Sequence, residues 1–229
     1  MDIIDKDPLK IKYQLNWFKT HLSEFNESEL LLINPIVKRI IFLKVGADTS
    51  QRFMNSVIYD ALCCINEIHQ NKKRQFYFSY RSLIENLARA CLSKENDDKT
   101  GILKLFSEFQ NALKLKSTKK DASTGDDVKI YKQDIYSDLM NGYSQACGYV
   151  HNNQSAGIDV MQSYTQIINN KPLSNQERKE LLKKLLALLE SCTRALSLLK
   201  KEAILRNFGR NFYFIEELLP ESIASVYLQ

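Results

Sequence analysis

The sequence is poor in the two residue types that make tight turns. Its 229 residues include only seven glycines and four prolines. A chain of many short strands needs turn residues about every 8–12 positions, and these numbers exclude such a chain. Leucine, lysine, glutamate and alanine instead dominate long stretches in which apolar residues recur at helical spacing. We therefore predict an all-α protein, built as an antiparallel helical bundle with short connections.

The chain also lacks the cysteine patterns of disulfide frameworks and zinc modules. Its five cysteines are an odd number, and no two of them are spaced as Cys-x-x-Cys. Each lies in a segment with apolar periodicity, where a free thiol packs as a small hydrophobic group. The pattern predicts a reducing compartment, with no disulfide, no metal site and no cofactor. The five residues are Cys63, Cys64, Cys91, Cys147 and Cys192.

Long hydrophobic runs are absent as well. No apolar run approaches the roughly 20 residues that a membrane-spanning helix needs. The first residues, "MDIIDKDPLK", carry several charges and lack the apolar region of a signal peptide. We expect a cytoplasmic protein with no membrane partner.

The charge balance permits a polyanionic partner without requiring one. The formal net charge is +5 and the isoelectric point is about 8.8. Lys72, Lys73 and Arg74 precede several aromatic residues, a combination found on nucleic-acid-binding surfaces. These three are the candidate residues for RNA or DNA contact. The alternative, which the pattern favours, is that the aromatic residues belong to the core and the basic run is a solvated junction. The aromatic residues are Phe76, Tyr77, Phe78 and Tyr80.

Several helix boundaries can be predicted from capping signals. Asn26 or Ser28 is suited to cap a helix that Pro35 then interrupts, which predicts a bent helix or two short pieces. Ser174 is followed three residues later by Glu177, which is the capping-box pattern. A long helix is therefore predicted to start directly after Ser174.

Apolar stripes mark the buried faces of the predicted helices. One strong stripe lies in the segment that follows Thr49 and Ser50, where the apolar residues fall three or four positions apart. Its members are Phe53, Val57, Ala61, Cys64 and Ile68.

The chain divides into three parts. We predict N-terminal helices over 1–48, a central helical bundle over 49–204, and an aromatic helix with a tail over 205–229. Residues about 116–130 are polar and predict a mobile solvated loop within the bundle. A further short helix is predicted over 159–169.

The C-terminal part carries more apolar surface than a short helix buries alone. It is predicted either to cover the bundle or to form an interface with a second copy or a protein partner. The residues concerned are Phe208, Phe212, Tyr213, Phe214, Leu218, Leu219 and Tyr227.

Two rows of polar residues interrupt the apolar stripes. Arg81 and Glu85 are four residues apart on one predicted helix and can form an ion pair. Tyr143, Cys147 and His151 are spaced by four residues on another, so they share one face near its end. These rows are the candidate functional residues.

The two rows resemble a known superfamily. An Arg-Ser-Leu-Ile-Glu helix, followed after a variable loop by Tyr-x-x-x-Cys-x-x-x-His at a helix end, is similar to HEPN-like helical proteins of prokaryotes. The similarity covers about residues 50–200. It implies a HEPN-like bundle with extra N- and C-terminal helices. Many of these proteins are toxins, abortive-infection proteins or parts of phage-defence systems, so it also implies a protein partner or a homodimer.

The chain departs from that superfamily at the catalytic motif. Active HEPN ribonucleases carry an Arg-x4-6-His motif on one helix, and no arginine stands at those positions before His151, His21 or His69. We therefore predict a non-catalytic interaction subunit of a prokaryotic defence or toxin–antitoxin assembly, in contact with RNA or DNA or with protein alone.

The alternative prediction is a metal-independent ribonuclease. Arg81 would hold a phosphate and His151 would exchange protons, while Glu85 and Tyr143 would orient them. Two further interpretations stay open. The four side chains could simply bond one another and join two helices, or they could line a ligand-sensing pocket.

Overall fold

A computed structural model describes seven stretches of the chain. They are residues 8–22, 25–46, 52–93, 100–118, 127–151, 172–209 and 213–228. Within them the secondary structure is helical and no strand occurs, so the all-α prediction is confirmed. The helices are α1 (Pro8–His21), α2 (Glu27–Gly46), α3 (Arg52–His69), α4 (Lys73–Cys91), α5 (Ile102–Thr118), α6 (Asp127–His151), α7 (Asn175–Phe208), α8 (Phe214–Leu218) and α9 (Glu221–Leu228).

Two helix pairs form the frame of the bundle. A tight turn joins α3 to α4, so the two pack antiparallel, and α2 packs along α7 far away in the sequence. α4 also contacts α5, α6 and α7, which makes it the central helix. The whole predicted stripe of α3 is buried, as are the apolar residues of α4 that face it.

α2 is a single helix in spite of its internal proline. Pro35 has no amide hydrogen, so the carbonyl of Leu31 loses its usual helical partner. Leu31 is 76% exposed, and water can hydrate the carbonyl there. Of the two predicted forms, a bent helix or two short pieces, the second is therefore wrong.

A buried ion pair joins the first turns of α2 and α7. Arg178 Nε lies 2.9 Å from Glu29 Oε1, and a terminal nitrogen of the same guanidinium donates to Oε2 at 3.2 Å. Glu29 is 1% exposed. Its carboxylate also accepts the amide of Asn26, whose side-chain oxygen accepts the amide of Glu29. The cap of α2 is therefore Asn26, in the reciprocal arrangement of a capping box.

The start of α7 follows the sequence prediction. The hydroxyl of Ser174 accepts the amide of Glu177, and the Glu177 carboxylate accepts the amide of Ser174. The bonds satisfy amides that have no helical partner in the first turn.

The polar segment around 116–130 contains more helix than expected. α5 continues to Thr118 and α6 begins at Asp127. The rest of that predicted loop and the helix predicted over 159–169 lie outside the described residues.

The C-terminal segment covers the bundle. Phe42 of α2 packs beside Phe208 and Tyr227, and Arg39 donates a hydrogen bond to the carbonyl of Leu218 at the end of α8. Tyr213 is 52% exposed. Phe212 lies outside the described residues. The other predicted interface residues are buried against the core, namely Phe208, Phe214, Leu218, Leu219 and Tyr227.

α9 was not predicted, since the end of the chain was expected to be a tail after one aromatic helix. The carbonyl of Pro220 instead accepts the amides of Ile223 and Ala224, both at 2.9 Å, and so starts a new helix. α9 buries Ile223, Ala224 and Tyr227, so tertiary packing stabilises this short helix.

A glycine allows α6 to approach α4 closely. A Cβ atom built on Gly142 would lie 2.8 Å from the hydroxyl oxygen of the buried Tyr80 ring, and one built on Gly148 would meet nothing. We expect Gly142→Ala to lower the free energy of unfolding by about 1–2 kcal/mol, because the clash outweighs the better helix propensity of alanine. Gly148→Ala on the same helix is expected to raise the free energy of unfolding by up to about 1 kcal/mol, since alanine has the better helix propensity and nothing obstructs its Cβ atom.

Chemical denaturation of both variants measures this difference. A Tyr80→Phe background removes the hydroxyl and should make Gly142→Ala much less harmful. An equal loss in both backgrounds would show that the close approach does not constrain α6.

Candidate functional site

The predicted ion pair on α4 is present. Arg81 Nε donates to Glu85 Oε1 at 2.9 Å, and both side chains are partly buried. The pairing follows directly from their spacing, since residues four apart lie on the same face of a helix.

Tyr143 of α6 completes a network with this pair. Its hydroxyl donates to the same Glu85 oxygen at 2.9 Å. The Arg81 guanidinium lies 5.9 Å from the centre of the Tyr143 ring, and Phe106 of α5 packs edge-on against that ring. The Glu85 network, defined as Arg81, Glu85 and Tyr143, therefore connects α4 to α6, and Phe106 packs α5 against it.

The network keeps its two donors protonated. The hydrogen bond to Glu85 raises the pKa of Arg81. Burial, together with the bond to Glu85, raises the pKa of Tyr143 well above its ordinary value near 10. At neutral pH, neither group is available to accept a proton.

The last member of the polar row lies at the end of α6. α6 ends at His151, whose side chain lies outside the described residues. Tyr143 and His151 are two helical turns apart, about 12 Å along the axis. Arg74 of α4 contacts the C-terminal end of α6, next to His151, and donates a hydrogen bond to the carbonyl of Val150 at 3.2 Å. The predicted meeting of Arg81 and His151 stays a prediction.

A second set of polar contacts joins α4 to α3. Asn86 donates to Asp60 at 2.9 Å, and Ser79 donates to Glu67 at 3.0 Å. None of these four residues was among those predicted from the sequence. One sequence feature could have identified them. Ser79, Ser82 and Asn86 recur at helical spacing, and the preceding helix carries two acidic residues, Asp60 and Glu67, that they can meet.

Burial raises the pKa of Asp60 and of Glu67. A carboxyl group whose pKa is higher in the folded state favours folding when it is protonated. The stability that the two groups contribute is therefore greatest below their ordinary pKa near 4 and is lost as the pH rises through the raised values. These contacts join helices and do not suggest a catalytic role.

The predicted nucleic-acid residues have different surroundings. Lys72 is exposed, Lys73 forms an ion pair with Glu177 at 3.2 Å, and Arg74 donates a hydrogen bond at the end of α6.

Of the aromatic residues that follow this basic run, Phe78 alone is exposed, and the Arg74 guanidinium lies 5.8 Å from its ring centre. The core interpretation therefore holds for Phe76, Tyr77 and Tyr80, which are buried.

A stacked tyrosine pair lies beside this basic run. The rings of Tyr77 and Tyr149 are 4.0 Å apart and nearly parallel, at 6°. Lys73 lies 5.7 Å from the centre of the Tyr149 ring, and Lys184 lies at the same distance from the Tyr77 ring. We call these four residues the Tyr149 platform. Tyr149 was missed because its exposure depends on how α6 packs on α4, which its own helix does not reveal.

An apolar groove lies between α1 and α2. Its volume is about 290 Å³, and Leu15, Phe18, Leu30 and Val37 are among its lining residues. This is just below the range of about 300–1,000 Å³ that is usual for small-molecule sites. None of the Glu85 network lines the groove, so the groove does not support a ligand-sensing role for that network.

The described residues offer no metal centre and no membrane span. Among them, no group of three or more His, Cys, Asp or Glu side chains is placed to hold a metal ion. Within the same stretches, no helix has both the length and the apolar character to cross a bilayer. All five cysteines are free thiols.

Comparison with protein-family models, with curated proteins and with solved structures found no match for this chain. Its function is therefore inferred from its own residues.

Proposed function

We propose that the chain is a non-catalytic helical interaction subunit. The observation that carries this proposal is the double acceptance by Glu85 Oε1, which receives hydrogen bonds from Arg81 Nε and from the Tyr143 hydroxyl. The ribonuclease alternative would use four groups, and three of them, Arg81, Glu85 and Tyr143, are instead bonded to one another across two helices.

The chemistry of the network supports the same conclusion. Cleavage at a 2′-hydroxyl needs a proton acceptor, a proton donor and a cation for the charged phosphorus centre. Arg81 and Tyr143 both serve as donors here, and the Glu85 oxygen that faces them is already occupied. A satisfied polar network of this kind fixes the relative position of helices without any substrate.

The partner is a protein, a second copy or a nucleic acid. The resemblance to HEPN-like proteins suggests a prokaryotic defence or toxin–antitoxin assembly as the setting. Exposed aromatic side chains are available for contact on α1, α4 and α6, in particular Trp17, Phe78 and Tyr149.

The proposal predicts that the protein does not cleave RNA. The purified chain, Arg81→Ala and His151→Ala are each incubated with single-stranded and structured RNA in the presence of EDTA, and the products are separated on a denaturing gel. We expect background cleavage in all three, because the Glu85 network has a structural role. Metal-independent cleavage that is lost in both variants would establish the ribonuclease instead.

A double-mutant cycle supplies the positive test of the structural role. Tyr143→Phe is expected to lower the free energy of unfolding by about 0.5–1.5 kcal/mol, since it removes one hydrogen bond to Glu85. Glu85→Gln and the double variant complete the cycle. A coupling energy of about 0.5 kcal/mol or more between the two sites is expected. Additive effects would show that the network does not join α4 to α6.

A further inference from the structure

We propose that the Tyr149 platform binds single-stranded nucleic acid, with an unpaired base stacked on Tyr149 and phosphates held by the neighbouring lysines. This inference rests on the proposed function, since it treats the chain as a binding subunit and names the class of its partner.

Tyr149 has the features of a stacking residue. It is 46% exposed, although it is a large aromatic residue at the end of a long helix. Its inner face lies flat on Tyr77, which is buried in the core. The ring is therefore held in place before a base arrives, and the loss of side-chain freedom on binding is small. Stacking on an exposed ring changes affinity by roughly tenfold or more per base.

The surrounding charges suit a phosphate backbone. The Lys73 ammonium lies over the Tyr149 ring, 5.7 Å from its centre, and the adjacent Lys72 is exposed. Lys73 pairs with Glu177, but both side chains are substantially exposed and such a pair is weak. A phosphate can therefore compete with Glu177 for this lysine. Lys184 donates to the hydroxyl of Tyr77 and to Gln145, so it holds a positive charge at the inner ring.

A second aromatic–cation pair extends the site. Arg74 donates to the carbonyl of Val150, the residue next to Tyr149, and its guanidinium also lies over the exposed ring of Phe78. The two pairs, Lys73 with Tyr149 and Arg74 with Phe78, thus meet where α4 begins and α6 ends. Two exposed rings with adjacent cations suit two neighbouring bases of one strand.

The same geometry predicts a preference for single strands. Stacking on Tyr149 requires the face of a base, and a continuous duplex hides base faces inside its stack. A strand held through stacking and phosphate contacts is bound with little dependence on sequence and with a strong dependence on salt, because bound phosphates release counterions.

Fluorescence anisotropy with labelled oligonucleotides tests the proposal. The probes are a 15-nucleotide poly-U RNA, a 15-nucleotide poly-dT DNA and a blunt duplex of the same length. We expect the wild-type chain to bind either single strand at least tenfold more tightly than the duplex. Tyr149→Leu, which keeps an apolar cover over Tyr77, should weaken binding about tenfold or more, and Tyr149→Phe should bind as the wild type does.

Two further variants separate stacking from charge and from general surface effects. Lys73→Ala should lower the slope of log Kd against log salt concentration, since one phosphate contact is lost. Tyr59→Ala removes a more exposed tyrosine from α3 and should leave binding unchanged. Thermal unfolding of each variant confirms that it is folded.

The outcomes distinguish this inference from the proposed function. Failure of the wild-type chain to bind a single strand at low salt, or wild-type affinity of Tyr149→Leu, overturns the platform alone. Arg81-dependent cleavage of the bound RNA, seen on a gel of the same samples, overturns the non-catalytic function while leaving the platform in place.

Discussion

Replacement of Arg178 by methionine is expected to lower the free energy of unfolding by about 3–5 kcal/mol. The substitution keeps much of the side-chain volume but leaves the Glu29 carboxylate buried without its cation. Glu29 is 1% exposed and the Arg178 side chain 15% exposed, so water cannot replace the lost guanidinium. Removal of one partner of a buried pair is far more harmful than removal of both, because an uncompensated charge stays in the core.

Two matched variants test whether the loss comes from the uncompensated charge of Glu29. Glu29→Gln in the Arg178→Met background removes the stranded charge, and glutamine can still accept the amide of Asn26 in the capping box. This double variant should recover at least half of the lost stability. Lys183→Met breaks an exposed pair with Glu180 on the same helix and should cost less than about 1 kcal/mol. A similarly small loss for Arg178→Met in urea denaturation would contradict the prediction.

Truncation of Ile215 to alanine is the second large effect, with an expected loss of about 2–5 kcal/mol. Ile215 lies on α8, is completely buried and belongs to the segment that covers α2. A cavity at this position removes apolar contacts and exposes the neighbouring core side chains when the segment loosens. Denaturation midpoints measure the loss, and hydrogen exchange shows whether α8 and α9 open first.

Tyr213→Ala is the control for this prediction, because Tyr213 is on the same segment and is exposed. Its effect on stability should stay within about 0.5 kcal/mol. Sedimentation of both variants measures their oligomeric state and so tests whether the C-terminal segment forms an interface with a second copy. An Ile215→Ala protein with unchanged stability but an altered oligomeric state would mean that the segment serves a partner and not the core.

The helices of the bundle could be predicted from the sequence wherever the apolar stripe or the capping residues lie within one helix. The stripe from Phe53 to Ile68 and the cap at Ser174 depend on residues three or four positions apart, and both were read correctly from the sequence. α9 could not be read in this way. Its eight residues are too few to be stable alone, and the core that they cover determines that they are helical.

The candidate site shows the same division. The Arg81–Glu85 contact follows from local spacing, whereas the bond from Tyr143 to Glu85 joins helices that are far apart in the chain. The Tyr149 platform depends on the packing of α4, α6 and α7 together. No periodicity within one segment carries that information, and the sequence pattern therefore identified Lys73 but not the exposed ring of Tyr149.

The pairing of α2 with α7 has a consequence for synthesis on the ribosome. α7 and α8, which bury much of the apolar side of α2, are translated more than a hundred residues after it. The α3–α4 hairpin has no such delay and can form as soon as it emerges, since its contacts are local. Until α7 is synthesised, part of the apolar side of α2 stays uncovered, and a chaperone that binds exposed apolar segments is expected to contact the stretch between Ile33 and Val45.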